Sequence, residues 1–260
     1  MGQLPLTWSS LKDAMIRAGF EPWLRPIVEA IRGNKRDEDD IATRAIIARL
    51  APEAVCVDVG CHKGLYLDPM RRQATRGLFF AFEPIPYLYD LLSAKYRNDS
   101  RVKLFNMALS AASGSAELFI NATDMGLSGL NKREGRSGID RDRLRKVVVP
   151  VGTLDEVLGD RHIDFIKIDV EGAEFDVLRG ARRILESSRP LILFEFGLGG
   201  AEYFGVDADK MFDYFGKHDF AVYTVATYAR NGEPLGRSQF QKCFELNSAY
   251  NFIAAPRPKN

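Results

Sequence analysis

A chain of 260 residues with 46 % hydrophobic and 27 % charged residues is long enough to bury a sizeable core without disulfides or a structural metal. Basic and acidic residues number 36 and 35, a net charge of +1, which argues against nucleic acid as an obligatory partner. Cys56, Cys61 and Cys243 give neither an even framework nor a CxxC pair, and a reducing compartment fits them best.

Residues 1–50 read as a helical extension ahead of a main domain at 51–260. Leu11, Ala14, Met15 and Ala18 share one helical face, and Ile41, Ala45, Ile46 and Leu50 share another. The charged stretch from Asn34 to Asp40 between them reads as a solvated loop. Asp13, Arg17, Glu21 and Arg25 interrupt any signal-peptide pattern near Met1. No window has the apolar length of a membrane span, so the expected location is the cytoplasm.

From residue 54 the pattern changes to short apolar strands separated by helical stretches. Strands are expected at Ala54–Val59, Leu78–Phe82, Val102–Ala108, Asp164–Val170, Leu191–Phe196, Ala221–Thr227 and Asn251–Ala255. Runs such as AVCVDV and LILFEF suit parallel strands covered by helices on both faces. The alternation implies an α/β fold with a doubly wound sheet. Cys56 reads as a small apolar core residue of the first strand. Two more strands, Ala116–Ile120 and Lys146–Val151, flank a glycine-rich loop from Asp124 to Arg145, either a functional lid or an insertion. Thr153 and Glu156 have capping-box spacing, so Asp155 reads as a first-turn acid.

The sharpest local signal is Asp58-Val59-Gly60-Cys61-His62-Lys63-Gly64, between a strand and a helix. Glycine here permits a positive φ and a close backbone approach to a ligand at the carboxyl end of the sheet. A dinucleotide turn needs GxGxxG, and His62 and Leu65 occupy its second and third glycine positions. This counts against a nicotinamide-dependent oxidoreductase, the competing reading on such a sheet. S-adenosylmethionine lacks a pyrophosphate; its ammonium would suit Asp58 or a backbone carbonyl, and its carboxylate would suit backbone N–H groups or Lys63. The next strand ends Phe82-Glu83-Pro84, where an acid can accept both ribose hydroxyls. Asp58 read without a ligand is a strand-end or capping residue, and His62 a surface histidine.

Beyond these motifs, DVGCHKG, FEPIP, NMALS at 106–110, TLD at 153–155 and DFIKIDVEGAEFDVLRGA at 164–181 together resemble the FkbM-type methyltransferases. The resemblance runs from about Val55 to Phe196. It implies a Rossmann-like class I methyltransferase fold, a seven-stranded, mostly parallel sheet with Tyr250–Ala255 as its antiparallel last strand. It also implies methyl transfer from S-adenosylmethionine, usually to a hydroxyl of a sugar, glycan or natural product. Asp58, Gly60 and Gly64 would line the methionine and ribose end, with Glu83 and the adjoining Pro84 at the ribose and Asn106, Met107 and Ala108 near the adenine. The family often has Ala-Asn where this chain has Cys61-His62.

In the IKIDVEG strand, Phe165, Lys167 and Asp169 share one face. A lysine there needs a partner, for which Asp169 and Glu195 are candidates. Asp169, Glu171, Glu195 and His62 are the candidate catalytic groups, since moving a methyl group to a hydroxyl requires positioning and removal of a proton. Asp169 also belongs to the expected donor site. A divalent cation on Asp169 and Glu195 is an alternative but not the expectation, and Glu174 reads as a helix-start acid. The loop from Asp124 to Lys146 holds seven Lys or Arg against four acids, and its Ser128 and Asn131 would reach an acceptor if it closed. A non-catalytic cofactor-binding protein on the same fold is the remaining alternative.

Overall fold

The computed structural model describes residues 38–121 and 144–258. The predicted face of Leu11, Ala14, Met15 and Ala18, most of the Asp124–Arg145 loop, and Ser128 and Asn131 lie outside the described residues. Helix α1 (residues 38–47) includes the end of the stretch expected as a loop. Its buried face is Ala42, Thr43, Ile46 and Ile47, whereas Ile41 is 69 % exposed. The expected face is therefore rotated, because adjacent pairs one turn apart meet the sheet.

The main sheet has the order β3-β2-β1-β7-β8-β10-β9. Its strands are β1 (Val55–Val59), β2 (Leu78–Phe82), β3 (Val102–Phe105), β7 (Phe165–Ile168), β8 (Leu191–Glu195), β9 (Phe220–Thr224) and β10 (Asn251–Pro256). β10 lies between β8 and β9 and runs antiparallel to both, as expected for the closing strand. Connecting helices are α2 (Leu67–Gln73), α3 (Pro86–Tyr96), α4 (Leu154–Leu158), α5 (Glu174–Arg179), α6 (Arg182–Ser187), α7 (Ala208–Lys217), α8 (Val225–Ala229) and α9 (Arg237–Glu245). Side chains alternate between two cores. Val57, Phe80, Ile166 and Phe194 enter one, and Cys56, Ala81, Phe165 and Leu193 enter the other. Burial on both faces explains the continuous apolar runs.

A second sheet, β4-β6-β5, is built from β4 (Ala108–Leu109), β5 (Gly114–Asn121) and β6 (Leu144–Gly152). The predicted strand Val102–Ala108 is thus two pieces in different sheets. Asn106 causes the break: its Nδ2 donates to the carbonyls of Glu83 at 2.8 Å and Pro84 at 3.2 Å, turning the chain. The predicted strand Ala221–Thr227 stops at Thr224, whose hydroxyl accepts from Thr227 N at 3.1 Å and caps α8. Thr153 caps α4 in the same way, while the Glu156 carboxylate accepts from the Ser113 hydroxyl. Asp155 accepts from the N–H groups of Arg183 and Ile184 at the start of α6. Among the described residues no helix is long and apolar enough to cross a membrane.

Candidate donor and acceptor site

The turn after β1 is built around two positive-φ glycines. Gly60 has φ +72°, and a Cβ there would lie 2.0 Å from the Asp169 carbonyl oxygen, so the ends of β1 and β7 touch through backbone. Gly64 has φ +79°, and a Cβ would meet Tyr96 Oη at 2.2 Å. Four of the turn's N–H groups are already used. Gly60 and Cys61 both donate to Phe82 O, His62 donates to Glu83 Oε2, and Gly64 donates to Cys61 O. Gly60, Cys61 and His62 are therefore committed to holding the turn against β2, and Gly64 closes the turn on itself, which departs from the expectation that these groups would receive a ligand carboxylate. Lys63 is exposed and accepts from Lys95 through its carbonyl.

Glu83, 3 % exposed, accepts from His62 N at 2.8 Å and from Ile85 N at 2.9 Å. Burial pushes its carboxyl up to about 6 against the pull of those two N–H groups. Glu83 stands in the wall of a cavity of about 190 Å³ at the carboxyl ends of β1, β2 and β7. One end of this cavity is apolar, with Ile85, Met107, Leu109 and Leu118; the other carries Asp169 and Glu171. Among the sequence-derived candidates, Gly60, His62, Glu83, Pro84, Met107, Ala108, Asp169 and Glu171 line it. Asp58, Lys63, Gly64, Asn106 and Glu195 do not. Asn106 acts one step back, holding the bend at Glu83-Pro84.

Lys167 and Asp58 face each other in the register of β7 and β1. The Lys167 ammonium donates to Gly60 O at 2.8 Å and pairs with Asp58 at 3.4 Å and Asp169 at 3.5 Å. Burial works against its charge, but the two carboxylates outweigh that and hold it above the ordinary lysine range. Burial likewise raises Asp58, and Lys167 pulls it back. The expected partner Asp169 is thus present, Asp58 takes the place offered to Glu195, and Asp58 lies behind the cavity.

After β7 the chain turns sharply at Glu171, with φ 61°, and Gly172, with φ 109°. Glu174, 2 % exposed, closes this turn by accepting from Val170 N and Gly172 N, both at 3.0 Å. Burial pushes its carboxyl up to about 7. Glu195 lies in an adjoining crevice with Glu171 and Glu174. Burial, then the negative charge of Asp169, raises its carboxyl well above the ordinary range. Among the described residues no group of three or more His, Cys, Asp or Glu side chains is arranged to hold a metal ion.

Sequence reasoning missed two contributors. Tyr66 lies in the cavity wall, with Lys167 Nζ 5.1 Å from its ring centroid. Leu118 comes from a strand of the second sheet. Tyr66 arrives as the cap residue of α2, directly after the glycine turn, whereas Leu118 is brought there by the pairing of distant strands.

The sequence profile of the methyltransferase FkbM domain matches residues 58–222, more than half of the chain. The chain belongs to the FkbM methyltransferase family. Within curated relatives, this FkbM protein is 32 % identical over 163 residues to methyltransferase sdnD of Sordaria araneosa, covering 52 % of this chain and 62 % of that one. It is 26 % identical over 192 residues to 2-O-methyltransferase NoeI of Sinorhizobium fredii, covering 69 % and 77 %. The chain thus spans less than two thirds of the length of sdnD. Its fold is similar to that of the crystallised methyltransferase FkbM from Methylobacillus flagellatus, with TM-score 0.50, 15 % identity, and coverage of 80 % of this chain and 44 % of that one. The order of the main sheet agrees with a Rossmann-like class I methyltransferase.

Proposed function

We propose that this chain transfers the methyl group of S-adenosylmethionine to a hydroxyl oxygen of a sugar or natural product. The observation that carries the reading is the Glu83 carboxylate in the cavity wall at the carboxyl ends of the central strands. A carboxylate has about four lone-pair positions, and two of them here hold backbone N–H groups. The others suit a vicinal diol such as that of ribose. The apolar end at Met107 and Leu118 suits a flat purine, and the acid end at Asp169 suits a cation. The residues therefore fit this donor.

When bound, the donor supplies an electrophilic methyl carbon on sulfur. Asp169, which lines the cavity with its side chain 32 % exposed, is placed to take the acceptor hydroxyl proton. The Asp169 carboxylate would accept the proton that the hydroxyl gives up on methylation and pass it to solvent. His62 and Glu171 border the same cavity and can orient acceptor hydroxyls. Glu195 adjoins the carboxylate group from the next crevice. The similarity to the 2-O-methyltransferase NoeI supports oxygen as the atom methylated.

The test incubates the full chain with donor labelled in its methyl group and a panel of glycans and hydroxylated natural products. Label on a hydroxyl oxygen, with equimolar S-adenosylhomocysteine, is the expected result. Tight binding of NADH with no binding of S-adenosylhomocysteine would refute it.

A further inference from the structure

A buried lysine in the wall of a site for a cationic donor calls for a physical explanation. The Lys167 side chain is 4 % exposed, and the residue lines the cavity. Asp58 and Lys167 are directly opposed in β1 and β7, on the face that also carries Cys56 and Phe165. The ammonium meets Asp58 Oδ1 at 3.4 Å, Asp169 Oδ2 at 3.5 Å and Gly60 O at 2.8 Å. On one side the group is closed: the Asp58 side chain is 0 % exposed. On the other it opens on the cavity through Asp169. Two carboxylates and one ammonium sum to one negative charge, and in a partly buried site that charge is felt much more than in water.

We propose that Asp58, Lys167 and Asp169 act as a charge triad of net −1 that makes the cavity hold a sulfonium donor more tightly than its neutral thioether product. The inference rests on the donor assigned above. Lys167 is then a positioning residue: it fixes the Gly60 carbonyl and the Asp169 carboxylate, and it trims two negative charges to one. Asp58 sets that sum from behind the cavity wall, without lining it. The two ligands share adenosine and amino-acid parts, so contacts to those parts cancel in the ratio of their affinities. The charge on sulfur does not cancel. Glu83 and Glu171 also act on that charge, so it is the change in the ratio of product Kd to donor Kd between triad variants that reads the triad.

Calorimetry with S-adenosylmethionine and S-adenosylhomocysteine on the full chain tests this. Asp58→Asn brings the triad to zero, and the product-to-donor Kd ratio should fall at least threefold, the scale of one unit charge in a partly buried site. Asp58→Asn combined with Lys167→Met restores a net −1, and the ratio should return to within twofold of wild type. A merely structural pair predicts the opposite: both ligands weaken together, and the double variant is no better than the single. If Asp58→Asn does not fold, Asp169→Asn removes one negative charge at a position 32 % exposed and should lower the ratio alike. A ratio unchanged in the single variant, or one that falls further in the double, overturns the proposal. Wild-type protein that binds neither ligand overturns the donor assignment itself, and this inference with it.

Discussion

Replacing Glu174 by Gln isolates the burial of one carboxyl from the hydrogen bonds it makes. A single oxygen, Oε1, accepts both the Val170 and the Gly172 N–H, at 3.0 Å each. Glutamine keeps that carbonyl oxygen and the shape, so the turn that presents Asp169 and Glu171 stays closed. What changes is the ionisation, because burial lifts the wild-type carboxyl from 4.5 to about 7. Below about pH 4.5 it is protonated in folded and unfolded chains alike, and the two proteins should be equally stable. Between there and about pH 7 the folded chain holds the proton that the unfolded chain has released, so wild-type stability falls as pH rises. The full shift corresponds to a penalty on the order of 3 kcal/mol above pH 7. Glu174→Gln never meets that penalty. Thermal and urea unfolding of both proteins from pH 4.5 to 8 should show the variant gaining on wild type as pH rises. A variant less stable than wild type at pH 8 would mean that charge-assisted hydrogen bonds outweigh burial, and would refute the reasoning.

Glu83→Ala should weaken S-adenosylhomocysteine binding by about 1–3 kcal/mol by calorimetry, the scale of lost charge-assisted hydrogen bonds; Lys63→Ala, at an exposed position outside the cavity, should change it less than about twofold. Gly60→Ala places a Cβ 2.0 Å from the Asp169 carbonyl at φ +72°, so it should both lower the thermal midpoint and abolish donor binding; a variant that binds normally would show that the β1–β7 approach is not needed. Asp169→Asn should lower turnover more than donor affinity, read from kcat and the donor Kd. The reverse order would place Asp169 in the structural ion pair alone.

The strands that position the site were legible because burial on both faces leaves a continuous apolar run, as in β1 and β2. Where the prediction overran, a single side chain diverted the backbone. Asn106 bonds the carbonyls after β2, and Thr224 caps a helix where the apolar pattern simply continued. Neither choice is encoded in periodicity. The positions of Glu83 and Asp169 in the cavity followed from their places at strand ends. The pairing of Asp58 with Lys167 did not, since it depends on which strands are neighbours and in what register. The committed N–H groups of the turn were equally hidden. Their acceptors, Phe82 O and Glu83, are about twenty residues away along the chain. The buried face of α1 was misread because Ile41 carries an apolar side chain on the exposed side.

The most direct measurement is a crystal structure of the protein with S-adenosylhomocysteine. The ribose hydroxyls should lie about 2.6–3.0 Å from the Glu83 carboxylate, with the purine against Met107 and Leu118 and the thioether beside Asp169. A ligand bound elsewhere, or Glu83 engaged only with His62 and Ile85 while the cavity stays empty, would contradict the account.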